Sequence, residues 1–334
     1  MKIGVVGCGA LGSYYGAKLC RDGQETHFLL RADYECVRAR GVRVRSVEGD
    51  FHVNPRCARM PEDIGVCDVV LIGLKTTANS QFARLLSPLV GENTAVVTLQ
   101  NGLGNEAVLA ELFGPEKILG GLCFVCLNRV EPGKIHHLAH GTIVLGEYNR
   151  WPEPRTHDLA SLIRHAGVPC KVTDNLERAH WEKLVWNIPF NGLGVASLAG
   201  CEALAAPASA PRVPLSLGRC LGTDQLLADP RWEKLVRELM LEVIAAANAL
   251  GFKISETLAA EQIENTRTMG AYKASTLIDF KRGQPLELES MFLEPLRQAE
   301  KAGVATPRLA ALCAVLKALD PATAPFKGRA DGPP

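Results

Sequence analysis

The first twelve residues constrain this chain more than any other stretch. KIGVVG is short and apolar, as a buried strand would be, and it ends in glycine. Gly7, Gly9 and Gly12 then make GxGxxG where the strand pattern gives way to the helix-compatible run ALGSYYGAKLCRDG. In that strand–loop–helix setting each glycine has its own task. Gly7 allows a tight turn, Gly9 lets the backbone approach a pyrophosphate, and Gly12 lets the helix lie close on the strand. The helix start presents free N–H groups and a positive partial charge to phosphates. The pattern predicts a dinucleotide loop made of Gly7, Cys8, Gly9, Ala10, Leu11 and Gly12; a glycine turn with no ligand is the alternative. Charge at the helix terminus is expected to lower the thiol pKa of Cys8, so that its oxidation would hinder cofactor binding.

THFLLR supplies a second strand, and its end selects the cofactor. An NAD site usually carries an acid there, to hold the ribose hydroxyls. Here the residue is Arg31. A guanidinium can form paired, charge-assisted hydrogen bonds to a 2′-phosphate, so NADPH/NADP is favoured, with a solvated surface arginine as the alternative. Downstream, CDVVLIGLK, TAVVTLQN and ILGGLCFV read as buried strands separated by the helix-like runs QFARLLSPLV and NEAVLAELFG, the alternation of a parallel sheet covered on both faces. KIHHLAHGTIVLGEY reads as an added strand pair, HDLASLIRHAG as a helix and VPCKVT as a last strand. From about residue 175 the patterns are helical. The expected fold class is α/β: an N-terminal Rossmann-type dinucleotide-binding domain over 1–174, a mostly α-helical C-terminal domain over 175–325, and a flexible tail over 326–334. A proline-bearing loop at about 203–222 interrupts the helices.

A chain of 334 residues suggests two domains of roughly 150 residues each. With 37 basic and 36 acidic side chains and no basic block, the chain offers no nucleic-acid surface. Neither a secretory signal nor an apolar span is apparent, so no membrane association and a cytoplasmic location are expected. Eleven scattered cysteines then read as reduced thiols. Cys123 and Cys126 have CxxC spacing but no second pair to complete a zinc site. His136, His137 and His140 lie close together in the sequence. No metal is expected at either cluster.

Lys183, Asn187 and Asn191 are spaced i, i+4, i+8 in AHWEKLVWNIPFN, which sets three polar groups along one face of an otherwise apolar helix. That arrangement suits a site or an internal polar network. Hydride delivery to a carbonyl builds negative charge on oxygen, and a lysine can supply the proton. Several segments together resemble the ketopantoate reductase family: GCGALGSYYG, GLKTTANSQ, TLQNGLGNE, EPGKIHHLAHGTIVLGE, AHWEKLVWNIPFN, YKASTLIDFKRGQPLELES and AGVATP. The resemblance implies NADPH-dependent reduction of 2-dehydropantoate to pantoate, a precursor of coenzyme A, with the active site between the two domains. It implies that Arg31, Lys75 and Asn101 contact cofactor, that Lys183 is the catalytic acid, and that Glu287 binds the substrate hydroxyl. Asn101, Asn187, Asn191 and Ser275 would contact substrate, Ser275 at the carboxylate; read alone, Ser275 could equally be a helix cap. The chain differs from the family's usual pattern at Ala78, at Ala274 beside Ser275, and in the run LELE around Glu287. A paralogous reductase of another branched 2-oxo acid and a non-catalytic NADPH sensor are the competing readings. Oligomeric state is left open, a homodimer being one option.

Overall fold

The structure, a computed structural model, describes residues 1–205 and 218–323; most of the proline-bearing loop and the whole 326–334 tail lie outside the described residues. The chain separates into two compact units, Met1–Ala179 and a second that starts at His180.

The first unit is built on strands β1 (Lys2–Val6), β2 (Glu25–Leu29), β3 (Val42–Ser46), β4 (Phe51–Val53), β5 (Arg56–Ala58), β6 (Cys67–Ile72), β7 (Val90–Thr98), β8 (Ile118–Glu131), β9 (Lys134–Glu147) and β10 (Cys170–Val172). They form one sheet in the order β4-β3-β9-β8-β7-β6-β1-β2-β5, with β10 also paired to β9. From β5 through β2, β1, β6 and β7 to β8 every pairing is parallel. Strand order reverses between β1 and β6, the switch point of a doubly wound sheet. Helices α1 (Ala10–Arg21), α2 (Tyr34–Arg40), α3 (Phe82–Leu86), α4 (Asn105–Phe113) and α5 (Pro154–His165) belong to this unit. The core strands are apolar at nearly every position because both faces are covered. Ile3 and Val5 pack with Tyr14 and Phe28 on one side, while Val6 packs with Phe82, Leu86 and Leu109 on the other.

Three expectations need correction. The sheet is mixed, because β8 and β9 run antiparallel along their whole length and β4 is antiparallel to β3. KIHHLAHGTIVLGEY is one strand, not a pair: His140 (φ 63°) and Gly141 (φ 138°) bend β9 without ending it, and register shifts nearby absorb the irregularity. QFARLLSPLV is a five-residue helix between 3-10 turns, since Pro88 has no N–H to continue the ladder.

The second unit is helical: α6 (Leu176–Ala196), whose first turn belongs to the first unit, then α7 (Cys201–Ala205), α8 (Thr223–Ala228), α9 (Pro230–Ala249), α10 (Thr257–Arg267), α11 (Ser275–Lys281), α12 (Glu294–Lys301) and α13 (Pro307–Leu319). Among the described residues no strand follows Val172, and no helix is long and apolar enough to cross a membrane. Helix α6 is the axis of this unit. Leu184, Val185, Ile188, Phe190, Leu193 and Val195 are all buried, so apolar packing covers most of its surface, apart from the line of Lys183, Asn187 and Asn191. At Gly192 an added Cβ would sit 2.5 Å from Leu312 of α13 and 3.0 Å from Phe292, so the absence of a side chain is what lets these elements close on α6.

Candidate functional site

Every residue assigned to the dinucleotide lies beyond the C-terminal end of a parallel strand. The loop Gly7–Gly12 follows β1, Arg31 follows β2, Lys75 follows β6 and Asn101 follows β7. In open α/β sheets the crevice outside the switch point is formed at these ends. The glycine loop is tight. Gly7 has φ 93° and its missing Cβ would collide with the backbone of Gly73 and Leu74, while a Cβ on Gly12 would collide with the Gly7 carbonyl. A Cβ on Gly9 would meet nothing within 4 Å. That is the surface a pyrophosphate can approach.

The start of α1 adds charge to this shape. Its N-cap, Gly9, brings no side chain to the free N–H groups, and no acid occupies the first turn. Gly9 N–H itself donates to the Gly7 carbonyl at 2.8 Å, so the N–H groups of the first helical turn after it and the positive helix end are left for an anion. Sequence reasoning missed Gly73. A Cβ there would stand 2.8 Å from Gly12 N and 2.9 Å from Gly12 Cα, so three glycines pack backbone to backbone under the loop. The signal was present in LIGLK, but its partners lie sixty residues earlier.

Cys8 departs from expectation. Its thiol donates to the Val5 carbonyl at 3.4 Å, and burial pushes its pKa well up, aided by Cys57 and Asp33. Loss of water around the sulfur is the first cause of the upward shift. The expected outcome is an inert thiol: under mild peroxide or iodoacetamide at neutral pH, Cys8 should stay unmodified by peptide mass spectrometry and cofactor affinity should hold. Rapid modification of the folded protein would contradict this.

Arg31 is exposed, and its guanidinium has no ion-pair or hydrogen-bond partner among the described residues. Lys75 is exposed at the head of a 3-10 turn, Thr76–Gln81. Asn101 is half-buried in a loop held from behind by an amide network that sequence reasoning also missed. Thr98 Oγ1 donates to Gln100 Oε1 (2.9 Å), Gln100 Nε2 to Asn79 Oδ1 (2.8 Å), Asn79 Nδ2 to Asn105 Oδ1 (2.9 Å), and Asn105 Nδ2 to the Asn101 carbonyl (3.0 Å). These bonds fix the backbone that presents Asn101. The amide-rich letters of TLQNGLGNE were the available clue.

In the second unit, Lys183, Asn187 and Asn191 do share one helix, α6, with Lys183 half-buried and both asparagines buried. Asn191 Nδ2 lies 3.5 Å from Asn187 Oδ1, and Asn191 Oδ1 accepts from Ser275 Oγ at 3.2 Å and from the Thr276 N–H at 3.1 Å. Asn187, Asn191 and Ser275 are therefore one connected group. Ser275 is the first residue of α11 and not its cap, a position held by Ala274. Glu287 is buried, and its carbonyl accepts from Met291 N–H at the entry to a π-helical turn, Glu289–Leu293, that leads into α12. Single π-turns of this kind often occur at functional sites.

The other flagged clusters have structural occupations. His137 is buried, its Nε2–H donates to the His140 carbonyl at 2.7 Å, and its Nδ1 accepts from Ser46 Oγ (2.8 Å) and Tyr14 OH (3.2 Å). Cys123 and Cys126 are buried on β8 and form no disulfide.

Residues 3–150 match the family model described as ketopantoate reductase PanE/ApbA, and residues 214–320 match that of its C-terminal region. The chain is 39% identical to the 2-dehydropantoate 2-reductase of a Nostoc strain, over 96% of this chain and 95% of that one. Among solved structures, the 2-dehydropantoate 2-reductase of Geobacter metallireducens superposes with a TM-score of 0.85 at 46% identity, covering 95% of this chain and 99% of that one. The enzyme of the same name from Methylococcus capsulatus gives 0.82 at 32%, covering 95% and 96%.

Proposed function

The chain belongs to the ketopantoate reductase family, and on that premise we propose that it reduces 2-dehydropantoate to (R)-pantoate with NADPH, in the cytoplasm, on the way to pantothenate and coenzyme A. The observation that carries the reading is the end-to-end similarity to enzymes of that name together with a glycine cradle and uncapped helix start of the right shape and charge. NADPH supplies the hydride. Gly9 and the first N–H groups of α1 hold the pyrophosphate, and Arg31, Lys75 and Asn101 hold the rest of the dinucleotide. Lys183 donates the proton to the ketone oxygen as charge develops on it. Asn187 and Ser275 bind the oxygens of the 2-oxo acid, and Glu287 accepts from its hydroxyl.

The test is the loss of NADPH absorbance with 2-dehydropantoate, beside pyruvate, 2-oxoisovalerate and other 2-oxo acids. Rapid turnover of 2-dehydropantoate alone is expected; preference for another acid would reassign the substrate, and cofactor binding without turnover would overturn the enzymatic reading. Arg31 gives a second prediction. Arg31→Asp removes a charge-assisted pair and places a carboxylate against the 2′-phosphate, so the ratio of kcat/KM for NADPH over NADH should fall by about 100-fold, equivalent to about 2.7 kcal/mol. An unchanged ratio would mean that another basic group holds the phosphate.

A further inference from the structure

Helix α11 lacks a cap of its own. Its N-cap residue, Ala274, is extended and has no side-chain acceptor. The N–H of Thr276, the second residue of the helix, is the donor that an N-cap Ser, Thr, Asp or Asn would ordinarily satisfy. Here it donates to a side chain 85 residues earlier, Asn191 Oδ1, at 3.1 Å. Ser275 Oγ donates to the same oxygen at 3.2 Å. Asn191 therefore caps α11 from α6.

This settles the polarity of two amides in turn. A backbone N–H can only donate, so the Asn191 atom it meets must be the oxygen. The NH₂ of Asn191 is then turned toward Asn187, whose Oδ1 it meets at 3.5 Å. With its oxygen so committed, Asn187 holds its own NH₂ on the other side of the amide, where it donates to nothing among the described residues. Asn187 is 6% exposed and Asn191 2%, so neither amide turns freely in water.

We infer that Asn191 is a positioning residue, which transmits the direction of the α11 backbone to Asn187 and fixes that amide with its two N–H donors outward, one helical turn from Lys183. The role of those donors rests on the family reading that Asn187 faces substrate. A 2-oxo acid offers only acceptor oxygens at its keto and carboxylate groups, and negative charge grows on the keto oxygen during reduction. An Asn187 amide turned the other way would set its oxygen against them. The amide of asparagine is nearly symmetric in shape, so packing alone distinguishes the two orientations poorly; a hydrogen-bond chain anchored on a backbone donor distinguishes them by charge.

Two substitutions separate the parts of this arrangement. Asn191→Asp keeps acceptors for Thr276 and Ser275, whereas Asn191→Ala removes the cap and the contact to Asn187 together. By thermal unfolding, Asn191→Ala should lower the midpoint by about 2–4 °C, the effect of losing one cap in a domain of this size, while Asn191→Asp stays close to wild type. Equal midpoints for the two variants would overturn the cap. The kinetic arm uses alanines, because an aspartate would also repel an anionic substrate through KM. Asn191→Ala should lower kcat/KM for 2-dehydropantoate about tenfold with NADPH affinity unchanged, and should cause no further loss when Asn187 is already alanine. Additive losses would make Asn191 a direct substrate ligand and overturn the inference. If the wild-type protein turns over no 2-oxo acid, the functional reading fails separately and the melting comparison alone decides whether Asn191 caps α11.

Discussion

Replacing Lys183 by alanine is expected to lower kcat roughly 1,000-fold while leaving NADPH affinity within about twofold of wild type. The reason is where charge appears during the reaction. As hydride reaches the keto carbon, the carbonyl oxygen becomes an alkoxide in the making, and a cation that can also release a proton stabilises it at that moment more than in the ground state. A thousandfold change corresponds to about 4 kcal/mol of transition-state stabilisation, within the range that one well-placed acid or oxyanion donor supplies. Lys183 is held for this by α6, whose other faces are locked by buried Leu184, Val185 and Ile188. The lysine stem is thus attached to a rigid base, and loss of the ammonium should not be compensated by backbone movement. Lys183→Arg should recover only part of the rate, because the planar guanidinium keeps the charge but is a much poorer proton donor. Steady-state kinetics and a cofactor titration on each variant check both halves. A kcat within tenfold of wild type for Lys183→Ala would remove the lysine from the chemistry. A collapse of NADPH affinity would instead give it a part in cofactor binding.

The parts of the molecule that were legible in the sequence are those fixed by local pattern. KIGVVG, the glycine loop and α1 follow one another within the first 21 residues, and each announces itself by period or by glycine. The same holds for α6, where polar groups at i, i+4 and i+8 stand out against apolar neighbours. What was not legible is short or non-local. In β3 the alternation VRVRS, with Val42 and Val44 buried and Arg43 and Arg45 exposed, is a half-buried strand in miniature; β4 and β5 have three residues each, too few for any period to show. The antiparallel turn of β8 into β9 could not be read from apolar runs, since composition does not record strand direction. Within the site, the pairing of Asn191 with Thr276 and the contact of Gly12 with Gly73 join segments that sequence spacing keeps far apart. Cys8 shows a different failure. The helix-terminus argument pointed downward, but the thiol's shift runs upward, with burial as its first cause.

The glycine loop supplies the second large effect, and two of its glycines should fail in different ways. At Gly12 an added Cβ meets backbone directly: it would overlap the Gly7 carbonyl oxygen and approach the carbon of the same carbonyl to 3.1 Å, with Val5 Cγ1 at 3.5 Å. Backbone cannot step aside as a flexible side chain can, so α1 has to lift from β1. Gly73 prevents an easy sideways shift, because it already lies against Gly12 N and Cα. Gly12→Ala should therefore lower stability by about 1–3 kcal/mol, as overpacking does. It should also weaken NADPH at least tenfold, since the helix start that faces the phosphates is the part displaced. Gly9→Ala is the contrast. Its backbone is extended, at φ −75°, and its Cβ would enter open space, so folding stability should change by less than about 1 kcal/mol. The new methyl nevertheless occupies the approach assigned to the pyrophosphate, and NADPH binding should fall by 100-fold or more, close to 3 kcal/mol. Thermal unfolding without cofactor, followed by NADPH titration by intrinsic fluorescence, reads both quantities on both variants. If Gly9→Ala binds NADPH as the wild type does, the phosphates do not cross this loop, and the dinucleotide has to be sought elsewhere along the strand ends.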